Sequence, residues 1–202
     1  MKLRYYFIPS LLVSLFILFH GLAYGVEEPS DKTTIKNNLL TESAFITGFG
    51  VSQIEEGHYQ PILLIWHLGI DLKKYFPIMR NLRGDFLAYI EPQFNPAINS
   101  EMNFEFGVDL GVKYITPPLI KDKLSAYILA GTGPHYISVV TRDQANGLIF
   151  SNTIGAGLYL FLTENSAINF GYRLRHISNA GLTEPNSGIN THFGIIGCSV
   201  FF

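Results

Sequence analysis

Between residues 103 and 116 the chain alternates strictly. Phe104, Phe106, Val108, Leu110, Val112 and Tyr114 fall on one face, and Glu105, Gly107, Asp109, Gly111 and Lys113 on the other. A period of two belongs to an extended strand whose faces meet different surroundings. Residues 59–73 repeat it, with Ile62, Leu64, Trp66, Leu68 and Ile70 set against His67, Gly69 and Asp71. Eight such segments are predicted, at about 43–56, 59–73, 84–97, 103–116, 124–139, 147–163, 166–179 and 188–202. The number is even, and each segment is long enough for a tilted bilayer crossing. An apolar outer face over a polar or glycine inner face is the pattern of a membrane barrel with a packed lumen. The predicted fold is all-β: an eight-stranded antiparallel transmembrane β-barrel of the bacterial outer membrane.

Composition agrees. Charged residues are 15% and aromatics 14% of the 202 residues, which is too apolar for an ordinary exported soluble domain. Residues 1–25 read as a secretory signal: Lys2 and Arg4, an apolar run from Phe7 to Leu22, then Ala23-Tyr24-Gly25 before Val26. Beyond it no apolar run reaches the length of a membrane helix, so strands must do the crossing. Residues 26–202 are then a single barrel domain, opened by a polar stretch at 26–39 that is either periplasmic or a plug. Loss of Lys2 and Arg4 takes the formal charge from -2 to -4, which offers nucleic acid no bulk attraction. Cys198 is the only cysteine, which excludes an intrachain disulfide.

With both termini on the periplasmic side, alternate connections should be short. Thr163-Glu164-Asn165-Ser166 fits; Tyr75 to Gly84 is longer than expected. Residues 141–147 and 180–187 fall outside the cell. Alternating apolar residues up to the terminal Phe202 resemble the signal by which bacterial barrels are recognised for insertion. The barrel-assembly machinery is therefore an expected partner.

The seventh segment carries the candidate chemistry. Ile168, Phe170, Tyr172 and Leu174 form its apolar face, and His176 and Ser178 continue that face. Positions i and i+2 on a strand lie about 6.6 Å apart, within reach of an imidazole and a hydroxyl. In the eighth segment the outward residues, counted back from Phe202, include Val200, Cys198, Ile196, His192 and Asn190. The two segments form a hairpin, so Asn190 falls beside His176 and Ser178. Polar groups facing lipid are costly and usually functional, although near the interface they also serve as ordinary girdle residues.

These residues resemble a family, the outer-membrane lipid A 3-O-deacylases and the wider acyloxyacyl hydrolase group. The resemblance rests on His176-Ile177-Ser178-Asn179-Ala180-Gly181, Pro185-Asn186 and Gly188-Ile189-Asn190. It implies a serine esterase that removes the 3-O-linked acyl chain of lipid A in the outer leaflet. His176 would be the base and Ser178 the nucleophile. Asn179, with a backbone N–H around Ala180 or Gly181, would form the oxyanion hole. Asn190 occupies a position that is glutamate in the best-known members. An amide oxygen can orient an imidazole but brings no charge to the developing imidazolium. Glu184 is the alternative acid, and His192 could join the network.

The outward residues Leu158, Tyr172, Leu174 and Ile196 are candidates for the substrate groove. No cofactor or metal is expected, since His176, His192 and Glu184 match no common zinc spacing. The expected partners are lipopolysaccharide and outer-membrane lipids, with homodimerisation left open. The rival functions are a non-catalytic structural barrel and an acyl hydrolase directed at phospholipid. A pore is disfavoured, because eight strands enclose little more than their own side chains.

Overall fold

The computed structural model describes residues 39–98, 102–121 and 123–202. The expected signal segment and nearly all of the polar stretch 26–39 lie outside the described residues. The strands are β1 (Glu42–Ile54), β2 (Gly57–Tyr59), β3 (Ile62–Asp71), β4 (Asp85–Ile98), β5 (Met102–Ile115), β6 (Leu124–Ile137), β7 (Gly147–Phe161), β8 (Ser166–Ser178) and β9 (Ile189–Phe201). The long strands pair antiparallel in chain order, and β1 pairs with β9 to close the ring. The result is the predicted eight-stranded barrel. Closure satisfies the backbone groups of every strand, as a segment in lipid requires.

Two departures from the sequence reading are local. The short strand β2 turns back on the end of β1 through Gly57, extending that hairpin past the barrel wall. The long connection before β4 is filled by two 3-10 turns, Leu72–Lys74 and Pro77–Met79. The Asp71 carboxylate accepts the Lys73 N–H at 2.9 Å and caps the first of them. At the end of this connection Gly84 has φ +73, and a Cβ there would stand 2.4 Å from the Ile115 carbonyl oxygen. Only glycine fits both conditions.

The polar face of each strand fills the lumen. Arg173 grips Glu91 with two bonds of 2.6 and 2.8 Å, and both side chains are buried. His67 donates Nδ1–H to the same carboxylate at 2.8 Å and accepts from Lys113 at 2.7 Å through Nε2. Lys113 also donates to Glu42 at 2.5 Å, and Tyr159 donates to Glu42 at 2.6 Å. Nearer the end opposite the termini, Arg175 pairs with Glu105 at 2.8 Å, and the Tyr59 hydroxyl donates to Glu105 as well. Buried charges persist only when paired and hydrogen-bonded, and these are. A void of about 10 Å³ beside Arg173, Arg175 and Asp109 is room for about one water. The lumen is a core, not a channel.

Outside, the alternate residues are apolar and exposed, among them Trp66, Leu110, Val112, Ile128, Ile154, Tyr172 and Ile196. Phe94, Phe104, Phe106 and Tyr136 stack with ring centroids 5.4 to 6.3 Å apart. Such a cluster is typical of the aromatic girdle where a barrel meets the membrane interface.

Candidate active site

Strand β8 divides its residues between two environments. Arg173 and Arg175 are buried in the lumen, while Tyr172, Leu174, His176 and Ser178 lie on the outer wall. Register sets what stands beside them. His176 pairs with Asn190 of β9 on one side and with Asn152 of β7 on the other; Ser178 pairs with Phe150. His176 Nδ1 lies 2.9 Å from Asn190 Oδ1. A carboxamide oxygen only accepts, so Nδ1 carries the proton and Nε2 keeps its lone pair. That is the tautomer a general base requires. Ser178 stands two residues on, on the same face. No hydrogen bond between Ser178 and His176 is found among the described residues.

The loop from β8 to β9 presses on the imidazole from above. Gly188 has φ +77, and a Cβ there would lie 2.6 Å from His176 Cε1 and 3.0 Å from Nε2. Glycine thus lets the backbone turn and leaves the ring its place. Backbone N–H groups of Ser187 and Gly188 donate to the Asp143 carbonyl at 2.8 and 3.2 Å, tying this loop to the one before β7.

The residues expected to form an oxyanion hole have other partners. The Asn179 side chain is buried; its Nδ2 donates to the Thr183 carbonyl at 2.6 Å, and its Oδ1 accepts the Gly181 N–H at 3.0 Å. The Asn179 N–H in turn donates to Asn186 Oδ1 at 2.7 Å. Asn179 and Gly181 therefore build the loop in this structure, and their donors do not face the Ser178 hydroxyl as free groups. Short side chains such as Asn compete for nearby backbone partners, which is the physical reason for the difference.

The other expected residues divide. Glu184 is exposed in the loop, and no contact with His176 is found among the described residues. His192 is on the outer wall but bonds through Nδ1 to the Tyr172 hydroxyl, not to His176. Leu158, Tyr172, Leu174 and Ile196 all face outward on β7, β8 and β9. Between Tyr172 and Phe49 lies Gly194, paired with both, and a Cβ on it would meet nothing within 4 Å. The wall has a shallow furrow there. Among the described residues no group of three or more His, Cys, Asp or Glu could hold a metal ion.

Sequence reasoning missed Asn152 and Thr132. They stand in one row with the site across four strands: Thr132, Asn152, His176 and Asn190. The signal was a single polar residue on the otherwise apolar outer faces of β6 and β7, and it acquires meaning only through register.

A closed barrel with a filled lumen, an apolar exterior and a histidine–amide row on its outer wall defines the class: a small outer-membrane barrel with a polar row on its bilayer-facing wall. The family model for lipid A 3-O-deacylase (PagL) matches residues 84–199, and the chain belongs to this family of ester hydrolases. Among solved structures, the outer membrane enzyme PagL is 22% identical, with 75% of this chain and 97% of that chain covered and a TM-score of 0.55. Neisserial surface protein A is 12% identical, with 80% and 96% covered and a TM-score of 0.58. No curated protein matches by sequence.

Proposed function

We propose that this chain hydrolyses the 3-O-linked acyl ester of lipid A in the outer leaflet, using Ser178 as nucleophile and His176 as base. The observation that supports this most directly is the His176–Asn190 bond at 2.9 Å on the lipid-facing wall, with Ser178 two residues along the same face. Family membership supplies the substrate class. In this reading the loop joining β8 and β9 lies on the extracellular side, which sets the row in the outer-leaflet half of the wall, below the headgroups.

The Ser178 hydroxyl attacks the ester carbonyl carbon while His176 Nε2 takes its proton. The tetrahedral intermediate collapses, and the proton passes from His176 to the leaving sugar oxygen. Water then attacks the acyl-serine, His176 again serving as base, to release the fatty acid and restore Ser178. Asn190 holds the ring through Nδ1–H. The acyl chains never leave the bilayer, because the wall itself carries the reacting groups.

The test is mass spectrometry of lipid A from a Gram-negative host producing this chain, beside a Ser178→Ala control. Loss of one hydroxyacyl mass that the control abolishes is the expected result. Unchanged lipid A with a correctly inserted barrel would overturn the proposal, and loss of phospholipid acyl chains instead would redirect it to that substrate.

A further inference from the structure

The outer face of β7 reads Leu148, Phe150, Asn152, Ile154, Ala156, Leu158 and Leu160. That of β6 reads Ala126, Ile128, Ala130, Thr132, Pro134 and Tyr136. Each strand shows the bilayer one polar side chain, and register makes those two direct partners. Neither sits at the rim. Leu148 and Phe150 lie between Asn152 and the outer end of β7, and Pro134 and Tyr136 lie beyond Thr132 on β6. Polar groups set inside the apolar belt cost more than girdle residues do, so a use for them is expected.

Their chemistry is specific. The Thr132 hydroxyl lies 2.9 Å from Asn152 Oδ1 and 2.8 Å from the Ser151 carbonyl oxygen. The carboxamide oxygen is thereby held on the β6 side, and Nδ2 is the end of the amide that Thr132 does not engage. For that nitrogen no protein acceptor is found among the described residues. Asn152 stands directly across from His176 and diagonally from Ser178, whose own partner is Phe150. Diagonal neighbours on paired strands are about 7–8 Å apart, a gap that a serine-bound carbonyl and a carboxamide bridge together. Of the donors expected for this task, the Gly181 N–H and one N–H of the Asn179 carboxamide are taken up inside the loop.

We propose that Asn152, anchored by Thr132, donates its Nδ2–H to the carbonyl oxygen of the ester attacked by Ser178 and stabilises the oxyanion that forms there. This rests on the deacylase reading above. As Ser178 Oγ bonds to the carbonyl carbon, the π electrons move onto the carbonyl oxygen, and Asn152 meets the negative charge without itself gaining or losing a proton. A donor fixed in place before the reaction is what this kind of stabilisation needs.

The experiment compares purified wild-type chain with Asn152→Asp, Asn152→Ala, Thr132→Val and Ser178→Ala, each first checked for the heat-modifiable gel mobility of a folded barrel. Initial rates on lipid A vesicles resolve kcat from KM. The near-isosteric Asn152→Asp keeps the shape and removes the donor, so it reads the proposal even where alanine impairs folding. Expected is a fall in kcat of about a hundredfold for both Asn152 variants with little change in KM, the scale of losing one oxyanion donor. Thr132→Val, which frees the amide to rotate, falls by about tenfold on the same reasoning. Asn152→Asp with wild-type kcat overturns the assignment, as does a loss confined to KM. An inert, folded wild type overturns the deacylase reading and this assignment with it.

Discussion

His176 and Asn190 are direct cross-strand partners, and the 2.9 Å bond between Nδ1 and Oδ1 ties the imidazole's orientation to the register of β8 on β9. Asn190 is an outward residue, so its hold on the ring owes nothing to the lumen.

Asn190→Ala should leave the barrel folded and lower kcat at least tenfold, because the ring loses its fixed tautomer. Asn190→Glu should instead raise kcat by about fivefold. A hydrogen bond to a charged acceptor exceeds a neutral one by about 1 kcal/mol, and the imidazolium of the transition state collects that difference. Steady-state rates for both variants on lipid A vesicles check the pair; a slower glutamate variant would mean that Asn190 does more than orient.

Gly188→Ala combines two penalties. The backbone at φ +77 becomes strained by about 1–2 kcal/mol. In addition the new methyl stands 2.6 Å from His176 Cε1. Gly181→Ala is the comparison, since its φ is +81 but nothing lies within 4 Å of the added carbon. Urea titration in vesicles should show similar stability losses, while deacylation should fall much further for Gly188→Ala.

Gly194→Leu places a side chain in the furrow between Tyr172 and Phe49. The barrel should insert normally, because that space is open to lipid. Deacylation should drop severalfold or shift toward shorter acyl chains, read from product masses on mixed lipid A. Unchanged rates and products would show that the substrate chain runs elsewhere.

Glu91→Ala strands Arg173 in the lumen and should cost about 3–5 kcal/mol of folding stability. The double variant Glu91→Leu with Arg173→Met should recover part of that loss, since an apolar pair of similar volume avoids the uncompensated charge but leaves the buried His67 Nδ1–H without its acceptor. Urea midpoints of the three proteins in vesicles decide it.

Much of this architecture was legible because one periodicity governs it. Glu105, Asp109 and Lys113 are buried where alternation put them, and Phe104, Phe106, Leu110 and Val112 are exposed to lipid. His176 and Asn190 met, with Ser178 on the same face, because hairpin pairing follows from strand ends. What stayed hidden depends on choices that no period encodes. The Asn179 amide turned to its own loop, Asp71 capped an unforeseen 3-10 turn, and His192 found Tyr172. Asn152 and Thr132 were visible as polar exceptions, but their partnership with His176 needed the registers of β6, β7 and β8 together.

The row Thr132–Asn152–His176–Asn190 also gives the barrel a fixed metric. A strand advances about 3.3–3.4 Å per residue, so the height of the row above or below any lipid atom is set by how the wall seats in the bilayer. An enzyme with an enclosed pocket selects its bond by shape. In the reaction proposed above the reacting groups lie on an open surface, and an ester would be chosen by altitude: bonds at the row's level would be cut, and chemically identical bonds a few ångströms deeper would pass by. Changing the thickness of the membrane would then retune the enzyme without altering a single residue.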